Sequence, residues 1–147
     1  MDEAEVLGTA LELERKGFAF YTEAEEKTEN KTGKKMFAQL AREEKEHIRD
    51  LESMFKNLYP QKGSTPIPVF EEKVSVYSGE IEALKIGIDM EKQSIQFYTD
   101  WGKGNVQSLF EEIIGMEKKH LELLEAELDY VQKNGFWFDY FESSLED

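Results

Sequence analysis

The sequence predicts an all-α fold: one bundle of four helices, built as two antiparallel hairpins joined by a long crossover. Three observations predict it. All three prolines (Pro60, Pro66, Pro68) fall within one short stretch, so helix-breaking chemistry is confined to a single connection and the chain on either side is free to be helical. Apolar residues on both sides recur at steps of three and four, the period of a helix and not of a strand. The length of 147 residues fits one domain with one core.

The elements follow in order. Helix α1 is expected from about Glu3 to Thr28, closed by Asn30-Lys31-Thr32-Gly33, and α2 from about Lys34 to Leu58. A connection from Tyr59 to about Ser78 follows, then α3 to about Asp100. Gly102-Lys103-Gly104-Asn105 reads as a tight turn, and α4 runs to about Lys133, where Asn134-Gly135 supplies a stop. Short turns make α1–α2 and α3–α4 hairpins, and the long α2–α3 connection can cross the bundle and bring α3 in parallel to α2. The bundle is thus residues 1–133. Residues 134–147 form a tail whose aromatics (Phe136, Trp137, Phe138, Tyr140, Phe141) are expected to pack on the bundle or on a second subunit. Trp101 and Trp137 are read as packing residues.

Composition excludes several functions. The chain carries 32 Asp+Glu against 18 Lys+Arg, a net charge of −14, which repels nucleic acid and anionic membranes. It has no cysteine, so disulfides, thiolate zinc sites, iron–sulfur clusters and a rubredoxin-type electron-transfer module are ruled out. No apolar run reaches the roughly 18–20 residues of a membrane span, and the N-terminus is acidic, without the look of a signal peptide. A soluble, cytoplasmic protein is expected.

The two hairpins repeat one another. A shift of 77 aligns Leu13-Glu14-Arg15 with Met90-Glu91-Lys92 and Phe20-Tyr21-Thr22-Glu23 with Phe97-Tyr98-Thr99-Asp100. A shift of 73 aligns Phe37, Leu40, Glu44, Lys45, His47 and Leu51 with Phe110, Ile113, Glu117, Lys118, His120 and Leu124. The four-residue difference is assigned to a longer α1–α2 turn. Duplication places equivalent residues about a pseudo-two-fold axis, so a feature found once should face its copy.

Both histidines of the chain sit three residues after a glutamate, Glu44 before His47 and Glu117 before His120, and residues three apart share a helix face. With 25 glutamates in the chain, chance gives this pairing about 3% of the time, so location has to decide. Both pairs interrupt apolar stripes: Phe37, Leu40, Leu51, Met54 and Leu58 on α2, and Phe110, Ile113, Leu124, Leu128 and Val131 on α4. Helix α1 carries Glu14 amid Leu7, Leu11, Phe18 and Tyr21, and α3 carries Glu91 amid Leu84, Ile88, Ile95 and Tyr98. Four carboxylates and two imidazoles therefore converge at mid-bundle, with no lysine or arginine on the stripes. Burying unpaired carboxylates costs several kcal/mol each, so either they are protonated or cations sit among them. Two metal ions held by Glu14, Glu44, His47, Glu91, Glu117 and His120 satisfy both charge and geometry.

On these residues, and on the two Glu-x6-Tyr elements (Glu14 to Tyr21, Glu91 to Tyr98), the chain resembles the rubrerythrin-like branch of the ferritin-like superfamily over roughly Glu3 to Lys133. The resemblance implies a ferritin-like bundle holding two iron ions, with manganese or zinc as the other metals that suit such ligands. It implies that Glu44 and Glu117 bridge the metals, that Glu14 and Glu91 are terminal ligands, and that His47 and His120 ligate one metal each. Tyr21 and Tyr98 would support the reaction by hydrogen bonding to ligating carboxylates. It implies a reaction of Fe(II) with O2 or H2O2, as a ferroxidase or peroxide-scavenging oxidoreductase, with electrons from an external donor protein. It also implies a homodimer, which the long connection would allow to swap hairpins, in preference to a storage shell. A non-catalytic metal-binding or structural bundle is the alternative. The chain departs from many rubrerythrins at Ser94, where they carry a further glutamate, and Gly17 is the repeat mate of Ser94. These two are expected to keep space open beside the metals for the oxidant.

Overall fold

The computed structural model describes residues 1–63, 79–135 and Trp137. Four helices make up the bundle: α1 (Glu3–Lys27), α2 (Lys31–Leu58), α3 (Glu80–Trp101) and α4 (Gln107–Asn134), with a short 3-10 helix (Gly104–Val106) leading into α4. No strand occurs among the described residues. The Tyr59–Ser78 connection and the tail fall largely outside the described residues; of the tail's aromatics only Trp137 is described.

The helix ends follow from local chemistry. Asp2 caps α1 by accepting from the Glu5 amide at 2.8 Å while Glu5 accepts from the Asp2 amide at 3.2 Å, a reciprocal capping box. Gly135 closes α4 in the left-handed conformation (φ 75°), the geometry glycine adopts without a Cβ penalty. One expectation needs correcting. Asn30-Lys31-Thr32-Gly33 is not a turn: Asn30 is the N-cap of α2, its side chain accepting from the Gly33 amide at 3.0 Å, so α2 starts at Lys31 and not Lys34. Gly33 sits in the first helical turn because a Cβ there would lie 2.8 Å from the Thr28 methyl and 2.9 Å from the Trp137 ring.

The four-residue offset between the repeats is therefore not in the α1–α2 turn, which is the shorter one, residues 28–30 against 102–106. It lies in the helices. Helix α1 runs on from Tyr21 to Lys27 where α3 runs from Tyr98 only to Trp101, and α2 opens at Lys31, well before Phe37, where α4 opens at Gln107, just before Phe110. The α1–α2 hairpin is simply taller at its closed end.

Helix α1 packs along α2 and α3 along α4; the hairpins meet where α1 faces α3 and α2 faces α4. Tyr21 of α1 reaches Glu91 of α3, and Tyr98 of α3 reaches Glu14 of α1. Those crossed contacts require α1 and α3 to run antiparallel, which makes α3 parallel to α2. The apolar core is split in two. One cluster, around Phe20, Phe37, Leu40, Leu84 and Leu124, fills the end near the α1–α2 turn and is closed by Trp137, which stands edge-on to Phe37 and donates from its indole nitrogen to Glu80 at 2.6 Å. The other, around Leu7, Leu11, Leu51, Phe110 and Ile113, fills the opposite end. Between them lies a layer of carboxylates and imidazoles.

Candidate metal centre

Each helix delivers one or two polar groups to that layer from the middle of an apolar stripe: Glu14 from α1, Glu44 and His47 from α2, Glu91 from α3, Glu117 and His120 from α4. None is more than 5% exposed. The six residues singled out in the sequence are thus brought together, and they form two overlapping groups. The donor atoms of Glu14, Glu44, His47 and Glu117 all lie within 4.8 Å of one another, as do those of Glu44, Glu91, Glu117 and His120. Glu44 and Glu117 belong to both.

The duplication is visible in the distances. Nδ1 of His47 lies 3.6 Å from Glu14, 3.9 Å from Glu44 and 3.1 Å from Glu117. Nδ1 of His120 lies 3.4 Å from Glu91, 3.9 Å from Glu117 and 3.2 Å from Glu44, the repeat mates in the same order. The rings themselves stand 6.3 Å apart.

Buried polar atoms are almost always hydrogen-bonded, yet six here have no aligned partner: Glu14 Oε2, Glu44 Oε1, His47 Nδ1, Glu91 Oε2, Glu117 Oε1 and His120 Nδ1. There is one on each of the six residues. The opposite oxygens of Glu14 and Glu91 are tied down, Glu14 Oε1 by the Tyr98 hydroxyl at 2.7 Å and Glu91 Oε1 by the Tyr21 hydroxyl at 2.6 Å. Each tyrosine fixes its carboxylate from behind and leaves the other oxygen aimed at the common space. Oxygen and imidazole donors without sulfur are the set that suits iron, manganese or zinc, so the residues fit a metal pair.

The family model described as Rubrerythrin matches residues 5–128. The chain belongs to the rubrerythrin family. Among solved structures, this rubrerythrin-family chain is similar to a hypothetical protein (Pfu-1136390-001) from Pyrococcus furiosus, with 23% identity over 90% of this chain and 92% of that one and a TM-score of 0.79. At that identity the likeness speaks to the fold alone. No curated protein matches the chain. No described helix is long and apolar enough to cross a membrane.

Electrostatics in this rubrerythrin-family site follow from crowding. Burial, then the charges of Glu14 and Glu91, push the Glu44 carboxyl well above the usual range. Burial and the charges of Glu44, Glu14 and Glu91 do the same to Glu117. Burial would also raise Glu14, but contacts with Glu44, His47 and Tyr98 outweigh it and hold Glu14 below the usual range. Burial works against the His47 imidazolium, yet the Glu117 and Glu14 carboxylates beside it push it up to about 10. His120 is raised likewise, against burial, by Glu43, Glu44 and Glu91. Crowding thus favours the protonated forms of Glu44, Glu117, His47 and His120 and the ionised form of Glu14.

Glu43 escaped the sequence reading. It lies off the apolar stripe of α2 and is only half-buried, but its carboxylate stands 2.6 Å from Nε2 of His120 on α4. The only signal in the sequence is adjacency to Glu44, which does not say that the side chain reaches across to the other hairpin. Gly17 and Ser94, by contrast, do line a narrow cleft between α1 and α3, with Leu13, Lys16, Met90 and Gln93 on its walls and Glu44 and Glu91 on its floor. It has room for about one water-sized molecule. A Cβ on Gly17 would point into it, 3.4 Å from Glu44 Oε2.

Proposed function

We propose that this chain is a binuclear metal carboxylate protein, a di-iron one, that reacts Fe(II) with O2 or H2O2 as a ferroxidase or peroxide-scavenging oxidoreductase. The observation that carries the reading is the set of six orphaned atoms, one on each of Glu14, Glu44, His47, Glu91, Glu117 and His120. Glu44 and Glu117, common to both donor groups, would serve both ions. Glu14 with His47, and Glu91 with His120, complete one position each. Tyr98 and Tyr21 hold the terminal carboxylates in register and stay protonated, their hydroxyls pushed well above the ordinary value by burial and by the carboxylates they face. A bound metal pair would supply redox electrons and Lewis acidity. The chain supplies the ligands, the dry apolar clusters at either end, and the cleft at Gly17 and Ser94 through which a molecule the size of O2 or H2O2 reaches Glu44.

Electrons would come from Fe(II) itself or from an external donor protein. A homodimer is the assembly proposed, with hairpin swapping left open by the long α2–α3 connection. The test is turnover. The iron-loaded protein should consume H2O2 or O2 with an added reductant, with an absorbance change as iron is oxidised. Tightly held metal that stabilises the fold and gives no turnover would support the structural alternative instead.

A further inference from the structure

Among the described residues, the two halves of the site match in the contacts of both histidine Nδ1 atoms and both tyrosine hydroxyls, and differ at one carboxylate. Glu43 Oε2 stands 2.6 Å from Nε2 of His120, whereas the polar contacts of His47 among the described residues all run through Nδ1. The shift that maps Glu44 onto Glu117 maps Glu43 onto Met116, whose thioether cannot replace a carboxylate. Glu43 is itself braced: Gln39 Nε2 donates to its Oε1 at 2.5 Å, and Arg42 donates to Gln39 Oε1. The mates of Gln39 and Arg42 are Glu112 and Gly115, which cannot rebuild that relay.

Resting on the reading that the six residues hold two ions, we propose that Glu43 is a positioning residue that makes the two metal positions unequal, so that the position served by His120 and Glu91 fills first. The position served by His47 and Glu14 is the weaker, exchangeable one. The physical reason lies in the imidazole. A ring nitrogen binds a metal through its lone pair, so the hydrogen must sit on the other nitrogen. Glu43 accepts that hydrogen from Nε2 of His120, which fixes the tautomer, orients the ring and makes Nδ1 a stronger donor. Carboxylates behind ligating histidines typically account for 10–100-fold in affinity. Among the described residues His47 has no such support, so its tautomer is settled on binding.

The experiment is a Co(II) titration of the metal-free protein against a competing chelator, with the visible spectrum as a second readout. The wild type is expected to bind two ions in separate steps, the first tighter by about tenfold or more. Glu43→Gln should weaken the tight step by about 10–100-fold and leave the other within about twofold, while the exposed Glu46→Gln on the same helix changes neither. Gln39→Met, which removes the brace and keeps Glu43, should weaken the same step, so the test survives if Glu43→Gln folds poorly. Two equal steps in the wild type would overturn the proposal, as would an equal loss in both steps or a gap that persists unchanged in Glu43→Gln. Failure to bind any Co(II) would instead remove the metal reading beneath it.

Discussion

Replacing Gly17 by alanine should stabilise the fold and slow the chemistry. Gly17 is buried in the middle of α1, and the three atoms nearest its added Cβ all belong to Glu44, at 3.4 Å for Oε2, 3.5 Å for Cδ and 3.6 Å for Cγ. These are ordinary contacts, so nothing has to move. Glycine inside a helix costs about 1 kcal/mol relative to alanine, and for a protein of this size 1 kcal/mol raises Tm by about 2–4 °C. The methyl, however, enters a cleft with room for about one water-sized molecule and stands over a proposed bridging carboxylate. The rate of reaction of the iron-loaded protein with H2O2 or O2 should fall about tenfold, or about 1.4 kcal/mol in barrier. The metal stoichiometry should not change, because no ligand is touched. Thermal melts of the metal-free protein and stopped-flow absorbance of the loaded one measure the two effects separately. A Gly17→Ala protein that is more stable yet reacts at the wild-type rate would refute the idea that the oxidant enters between Gly17 and Ser94.

Other perturbations separate the parts of the account. Tyr98→Phe strands Glu14 Oε1 in the core and should cost about 1–3 kcal/mol in urea melts; it should also weaken metal binding, as Tyr21→Phe should through Glu91. Metal loading at pH 7 should release protons, at least about two per chain from the two imidazoliums with Glu44 and Glu117 adding more, measured by calorimetry in buffers of different ionisation heat. Stability of the metal-free protein should fall as pH rises. Glu44 and Glu117 resist ionising above the ordinary 4.5, and the raised His47 contributes fully below 6.5 and loses that contribution as pH climbs to about 10. Chemical melts from pH 5 to 10 should show this slope, and a slope of opposite sign would contradict the proton-filled layer. Trp137→Ala should cost about 3 kcal/mol by opening the apolar cluster against Phe37, without changing how many metals bind.

Much of this was legible because the sequence repeats. With only two histidines, each three residues after a glutamate and each in mid-stripe, the polar layer could be placed before any helix was positioned. The helices were legible because the breakers cluster at Pro60–Pro68. What was not legible depends on reach across the bundle. Gly33 looks like a turn residue and is in fact a helical contact beneath Thr28 and Trp137. Glu43 looks like one more surface glutamate beside Glu44, and only the approach of α2 to α4 shows that it backs His120. Side chains that point away from the apolar stripe carry no periodic signal, so their partners on other helices appear only when the bundle is assembled.

The claim at the centre is that six buried residues hold two metal ions. It is tested most directly by loading the metal-free protein with Fe(II) under anaerobic conditions, removing free iron, and counting what stays bound. The account predicts two per chain, reduced when Glu44 or Glu117 is replaced by alanine because both ions share them. A count near zero would contradict the site altogether, and a count far above two would point to storage.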